Sequence, residues 1–86
     1  RTHSLGKLNW EILRSGIEEI IEVKDEKTLE ALRLYFRYAN LKVEPTGALS
    51  LGTLLTNPSR FKGKKVCVIV SGGNVDPAVY AKAITF

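Results

Sequence analysis

Leu29, Leu32, Phe36 and Ala39 recur at three- and four-residue intervals, while Lys27, Glu30, Arg33 and Arg37 fall between them. That period predicts an amphipathic helix, with Asp25 as its cap. Upstream, Trp10, Leu13 and Ile17 repeat the pattern behind Asn9 as a cap, and Gly16 offers a left-handed stop. Between the two, Ile20, Ile21 and Val23 form a β-branched run, the composition of a strand packed on both faces. Val43-Glu44-Pro45 is predicted extended, because the residue before a proline is pushed away from helical dihedrals. A helix opening at Pro45 or Thr46 then carries Ala48, Leu49, Leu51, Leu54 and Leu55 and stops at Asn57-Pro58. The loop from Phe61 to Lys65 leads into a second apolar strand, Val66 to Val70, and Asp76-Pro77 opens a last helix towards Ile84.

The order is helix, strand, helix, helix, strand, helix. Strands separated by helical crossovers pair in parallel, so the expected class is α/β: a partial three-layer parallel sheet with flanking helices. Two strands alone leave their outer edges unpaired, which predicts neighbouring strands from chain beyond these residues. Residues 1–86 show no repeat, linker or low-complexity tract, and no internal domain boundary is expected.

Eighty-six residues limit the core that can be buried. No apolar run approaches the roughly 18 residues that a membrane span needs, and no basic-then-apolar leader opens the chain. Cys67 is the single cysteine, so no internal disulfide can form and a reducing, cytoplasmic setting is expected. There is no methionine, and we read the chain as a piece of something longer. The net charge is +4, yet acids at Glu18, Glu19, Glu22, Asp25 and Glu26 interrupt the basic residues and only Arg60, Lys62, Lys64 and Lys65 cluster. With Phe61 as the one aromatic among them, that cluster reads as a solvated turn, and nucleic-acid binding is not expected.

One histidine, His3, and one cysteine exclude a His/Cys metal cage and a Ser-His-Asp set within the chain, so no catalytic or metal-ligating residue is assigned here. Cys67, inside an apolar run, reads as a small hydrophobe. Two features remain. Ser71-Gly72-Gly73-Asn74 follows a strand and precedes a helix, the position at which open α/β sheets place phosphates and cofactors. It is equally the sequence of an ordinary tight turn. Glu44-Pro45-Thr46-Gly47-Ala48 puts an acid before a helix of small residues, where it serves either a site or the helix dipole, and small residues permit close packing.

Together, Glu44-Pro45-Thr46-Gly47-Ala48 and the run from Gly63 through Val70 into Ser71-Gly72-Gly73-Asn74-Val75-Asp76 resemble the C-terminal part of the serine racemase and threonine dehydratase family. These are pyridoxal-phosphate enzymes of the tryptophan-synthase-like fold. Ser4-Leu5-Gly6, Trp10 and Glu19-Ile20-Ile21-Glu22-Val23 agree with the stretch that precedes this part in the family, so the resemblance covers almost the whole chain.

The resemblance implies that residues 1–86 are the C-terminal part of a large, cofactor-binding domain. The hydroxyl of Ser71 would hydrogen-bond the pyridine nitrogen of pyridoxal phosphate, Gly72 would let the ring approach, and Glu44 would stand near the ring. A neutral hydroxyl partner leaves that nitrogen largely unprotonated and weakens the ring as an electron sink. Asn74 and Asp76 are turn and cap residues in this reading. The implied activity is a lyase or isomerase reaction: proton abstraction at Cα of serine or threonine, then loss of the β-hydroxyl as water or reprotonation. The family's cofactor-anchoring lysine, its glycine-rich phosphate cup and any divalent-cation ligands lie upstream and have no counterpart here, so the fragment alone is expected to be inactive. The full-length protein is expected to be a homo-oligomer with a small amino-acid substrate and no membrane or nucleic-acid partner. The competing reading is a non-catalytic α/β binding or interaction module that uses the Ser71-Gly72-Gly73-Asn74 loop for an anion.

Overall fold

The strongest helical period in the chain becomes α2, Asp25–Leu34, in a computed structural model that describes residues 4–85. Lys24 stands at its N-cap with extended dihedrals, and the Lys24 carbonyl accepts the N–H groups of Lys27 and Thr28. Asp25 is therefore the first helical residue. It makes no cap bond, and with Glu26 it places negative charge beside the exposed amides of the first turn.

Thr28, Ala31, Leu32 and Tyr35 form the buried stripe of α2. Phe36 and Ala39, expected to continue it, are exposed instead. The cause is a change of pitch: residues Tyr35–Ala39 form a π-helical turn, whose extra residue rotates the stripe away from a 3.6-residue register. Asn40 ends the turn in the left-handed region at φ 54°, a conformation its short polar side chain tolerates, and the Tyr35 carbonyl accepts from both Asn40 and Leu41.

Against α2 pack a 3₁₀ turn, Pro45–Ala48, its continuation α3, Leu49–Thr56, and α4, Pro77–Ile84. Ala31, Leu32, Tyr35, Val43, Ala48 and Ala83 make the core, with Leu29, Leu51, Leu55, Tyr80 and Ile84 packed around them. Phe36 and Tyr80 meet edge to face at 6.2 Å between ring centres. A second 3₁₀ turn, Pro58–Phe61, follows α3 at the predicted Asn57-Pro58 stop. Helix α1, Lys7–Leu13, buries none of its residues. It opens two residues before Asn9, with Gly6 at the cap position, and it stops without a left-handed residue: the Leu13 carbonyl accepts from both Gly16 and Ile17.

The expected α/β architecture, a partial three-layer parallel sheet, is not what forms: the described residues are helical and contain no strand. Residues 20–24 and 65–70 are neither helical nor paired, and Ile20 and Ile69 are 70% and 75% exposed. A β-branched run supplies propensity, but a strand exists only through ladder hydrogen bonds to a neighbour. Here no such ladder joins the two segments, and each touches α3. Val23 lies against Gly52 of α3, and the Ile69 carbonyl accepts the Ser50 hydroxyl of α3 at 2.6 Å.

Candidate functional site

Two chain segments meet backbone to backbone at the end of the core. Val43 is 1% exposed and fixes the first of them. Glu44 follows with extended dihedrals, φ −75° and ψ 159°, as the residue before Pro45 must. Its N–H donates to the Gly72 carbonyl at 3.1 Å. The approach is possible only because glycines line it on both sides. A Cβ on Gly47 would lie 2.5 Å from the Gly72 oxygen and 3.1 Å from the Gly72 nitrogen, and one on Gly73 would collide with the Lys42 carbonyl.

Glu44 makes no side-chain cap bond to the 3₁₀ turn that it precedes. Its carboxylate rests over Gly72 instead, close enough that a Cβ there would stand 2.5 Å from Oε1. The same residue lines a cavity of about 480 Å³ with Asp25, Thr28, Leu29, Pro45, Thr46 and Leu49. That volume falls within the range of small-molecule pockets.

Past Gly73 the loop tightens. The Val75 N–H donates to the Gly73 carbonyl at 3.1 Å, and Asp76 Oδ2 accepts from the N–H groups of Ala78 and Val79 at 3.1 and 3.2 Å, which caps α4 as expected. Ser71 is exposed, and its hydroxyl makes no hydrogen bond among the described residues.

Of the three residues singled out from the sequence, Glu44 and Gly72 are brought into contact and Ser71 is the next residue along the exposed edge. Glu44 alone of the three lines the cavity. Sequence reasoning missed Gly47, Gly73 and the Lys42 carbonyl as the parts that close the two segments together. The small residues after Pro45 were the available signal for Gly47. Cys67 is exposed rather than packed as a small hydrophobe. Within the basic cluster, Arg60 pairs with Glu19, and Lys62 and Lys64 border a separate depression against Leu54, Phe61 and Val66. His3 lies outside the described residues.

Residues 1–72 match the family model described as pyridoxal-phosphate dependent enzyme. The chain belongs to that family, whose members depend on pyridoxal phosphate. It is 39% identical over 72 residues to a β-hydroxyaspartate dehydratase of Paracoccus denitrificans, which covers 84% of this chain and 23% of that protein. It is 36% identical over 84 residues to an L-threo-3-hydroxyaspartate ammonia-lyase of a Pseudomonas species, covering 98% of this chain and 26% of the relative. A serine racemase of Schizosaccharomyces pombe is 35% identical over 81 residues, covering 94% and 25%. The chain thus spans about a quarter of the length of the relatives it matches.

The residues present fit one edge of the cofactor. Gly72 carries no side chain and the space a Cβ would take there is held by the Glu44 carboxylate, while the neighbouring Ser71 hydroxyl is exposed, unengaged and able to donate or accept.

Proposed function

We propose that this chain forms the C-terminal part of the cofactor-binding domain of a pyridoxal-phosphate-dependent dehydratase or racemase acting on a small amino acid with a hydroxyl on Cβ. Hydroxyaspartate, serine and threonine, which appear in the names of the relatives, share that group. The observation that carries the reading is the contact between Glu44 and Gly72, which sets a carboxylate and an unengaged hydroxyl, Ser71, beside one bare stretch of backbone.

When bound, pyridoxal phosphate supplies the electron sink that lets the Cα proton leave. The chain's own residues orient and tune. The Ser71 hydroxyl would hold the pyridine nitrogen as a neutral partner, which would keep the ring a moderate sink. Gly72, which has no side chain of its own, would let the ring edge approach the backbone next to the Glu44 carboxylate. Glu44, fixed through its N–H to the Gly72 carbonyl, holds its carboxylate beside the same edge. Proton transfer at Cα and departure of the β-hydroxyl fall to groups contributed by the rest of the protein, so residues 1–86 alone have no turnover.

The test is Ser71→Ala in the full-length protein. The variant retains pyridoxal phosphate weakly and loses most turnover with serine, threonine or hydroxyaspartate. Near-normal turnover, or an unchanged cofactor absorbance spectrum, rejects the role assigned to Ser71.

A further inference from the structure

We propose that Arg33 is a positioning residue for the Ser71–Asp76 loop, acting through α4; the inference rests on the reading of Ser71 as a cofactor contact. Arg33 lies on α2, far from the loop in sequence and outside the cavity at Glu44. Its Nε–H donates to the Ala83 carbonyl at 2.8 Å, across 50 residues of chain. That carbonyl belongs to the last turn of α4, where carbonyls have no intrahelical donor and carry the negative end of the helix dipole. A guanidinium answers both needs with one charge-assisted bond.

The bond matters because the other anchors of α4 are apolar: Ala83, Tyr80 and Ile84 against the core and the Phe36–Tyr80 ring contact. The helix is eight residues long, and Ala83 is the one it buries. Val79 is 52% exposed, and Tyr80 and Ile84 are only partly buried against the core. The Thr85 hydroxyl satisfies the Ala81 carbonyl, but that bond is local to the helix and fixes nothing relative to α2. Among the described residues, Arg33 thus makes a polar tie between the far end of α4 and α2.

The near end of α4 is continuous with the loop. Asp76 caps the helix, Val75 bonds back to Gly73, and Gly73 sits on the Lys42 backbone. No slack residue separates the cap from the Gly73 turn. A displacement of α4 therefore pulls on Gly73, Gly72 and Ser71 against the Glu44 N–H to Gly72 carbonyl bond that joins them to the other wall. Loss of Arg33 loosens the Gly72 side of that seam without altering a residue of either wall.

The experiment compares Arg33→Met, Arg33→Lys and Ser71→Ala in the full-length protein, by amide hydrogen exchange and by titration with pyridoxal phosphate. Methionine keeps much of the apolar stem and removes the donor; lysine restores a donor on a stem of different length. In Arg33→Met, exchange at residues 72–76 and in α4 rises about tenfold while α2 and α3 exchange as before, and the dissociation constant for pyridoxal phosphate rises about tenfold, the worth of one charge-assisted hydrogen bond. Arg33→Lys falls between Arg33→Met and the parent in both measurements. Exchange that rises only in the last turn of α4, or equally in every helix, overturns the inference. So does unchanged cofactor affinity in Arg33→Met when Ser71→Ala weakens it. If Ser71→Ala itself leaves the cofactor unaffected, the reading of Ser71 fails, and the inference falls with it.

Discussion

Gly47→Ala probes the closure of the two segments most directly. The added Cβ would stand 2.5 Å from the Gly72 oxygen and 3.1 Å from the Gly72 nitrogen, with Val43 Cγ1 at 2.9 Å on another side. Two of the three obstacles are backbone, so rotation of a side chain cannot clear them. Carbon–oxygen contacts in proteins settle at about 3.3 to 3.6 Å, so the segments must part by nearly 1 Å. The Glu44 N–H to Gly72 carbonyl bond, 3.1 Å in the structure, then stretches beyond hydrogen-bonding range. Overpacking costs about 1–3 kcal/mol and the lost bond about 1 kcal/mol more, while replacing glycine by alanine in a helical turn returns at most about 1 kcal/mol. The net loss is about 1–3 kcal/mol. In the full-length protein the variant has a lower urea midpoint and a weaker affinity for pyridoxal phosphate, read by absorbance titration, even though Gly47 is not itself assigned to the cofactor. Stability within about 0.5 kcal/mol of the parent together with unchanged affinity would refute the steric argument, because it would mean the segments separate freely.

Two further outcomes test the core. Leu32 is fully buried at the centre of α2, and Leu32→Ala lowers unfolding free energy by about 2–5 kcal/mol in denaturant titration; a loss under about 1 kcal/mol would show that the site collapses or that α2 is not the central element. Burial raises the Tyr35 phenol above its ordinary value, and its hydroxyl is buried without a hydrogen-bond partner. Because the unfolded chain gives up that proton first, stability contributed by the neutral phenol is present at lower pH and declines as pH rises from about 10 through the raised folded value. Tyr35→Phe removes both the orphaned hydroxyl and this part of the alkaline decline and gains about 1 kcal/mol near neutrality, measured by denaturant midpoints across the alkaline range. A marked loss of stability on this substitution would reveal a partner for the hydroxyl.

Much of the helical framework was legible because the information is local. The period of residues 27–37 marks α2, Asp76-Pro77 marks the start of α4, and Asn57-Pro58 marks the end of α3. Each rests on contacts within a turn or two of chain. The predicted sheet failed for the opposite reason. Val66–Val70 and Ile20–Val23 have the composition of strands, but a strand needs a partner's ladder hydrogen bonds, and none joins these segments to a neighbour among the described residues. The misplacement of Phe36 has a subtler origin, since a π turn shifts the angular register without leaving a mark in hydropathy. At the site, the resemblance singled out Ser71, Gly72 and Glu44, yet the contact between Gly47 and Gly72 joins residues 25 apart and follows from no local pattern.

The pinch at Lys42–Gly47 and Gly72–Gly73 has a consequence for how such a protein can change. The chain between its jaws leaves and returns at one neck, with α3 packed back on α2 and an exposed turn beyond it. Near its outer bend, Gly63 takes φ +76° with nothing within 4 Å of where its side chain would be. An exposed turn such as the one around Gly63 tolerates added or deleted residues at small entropic cost. Length can therefore drift there while the neck, a few ångströms of bare backbone, keeps the spacing that chemistry at the rim depends on.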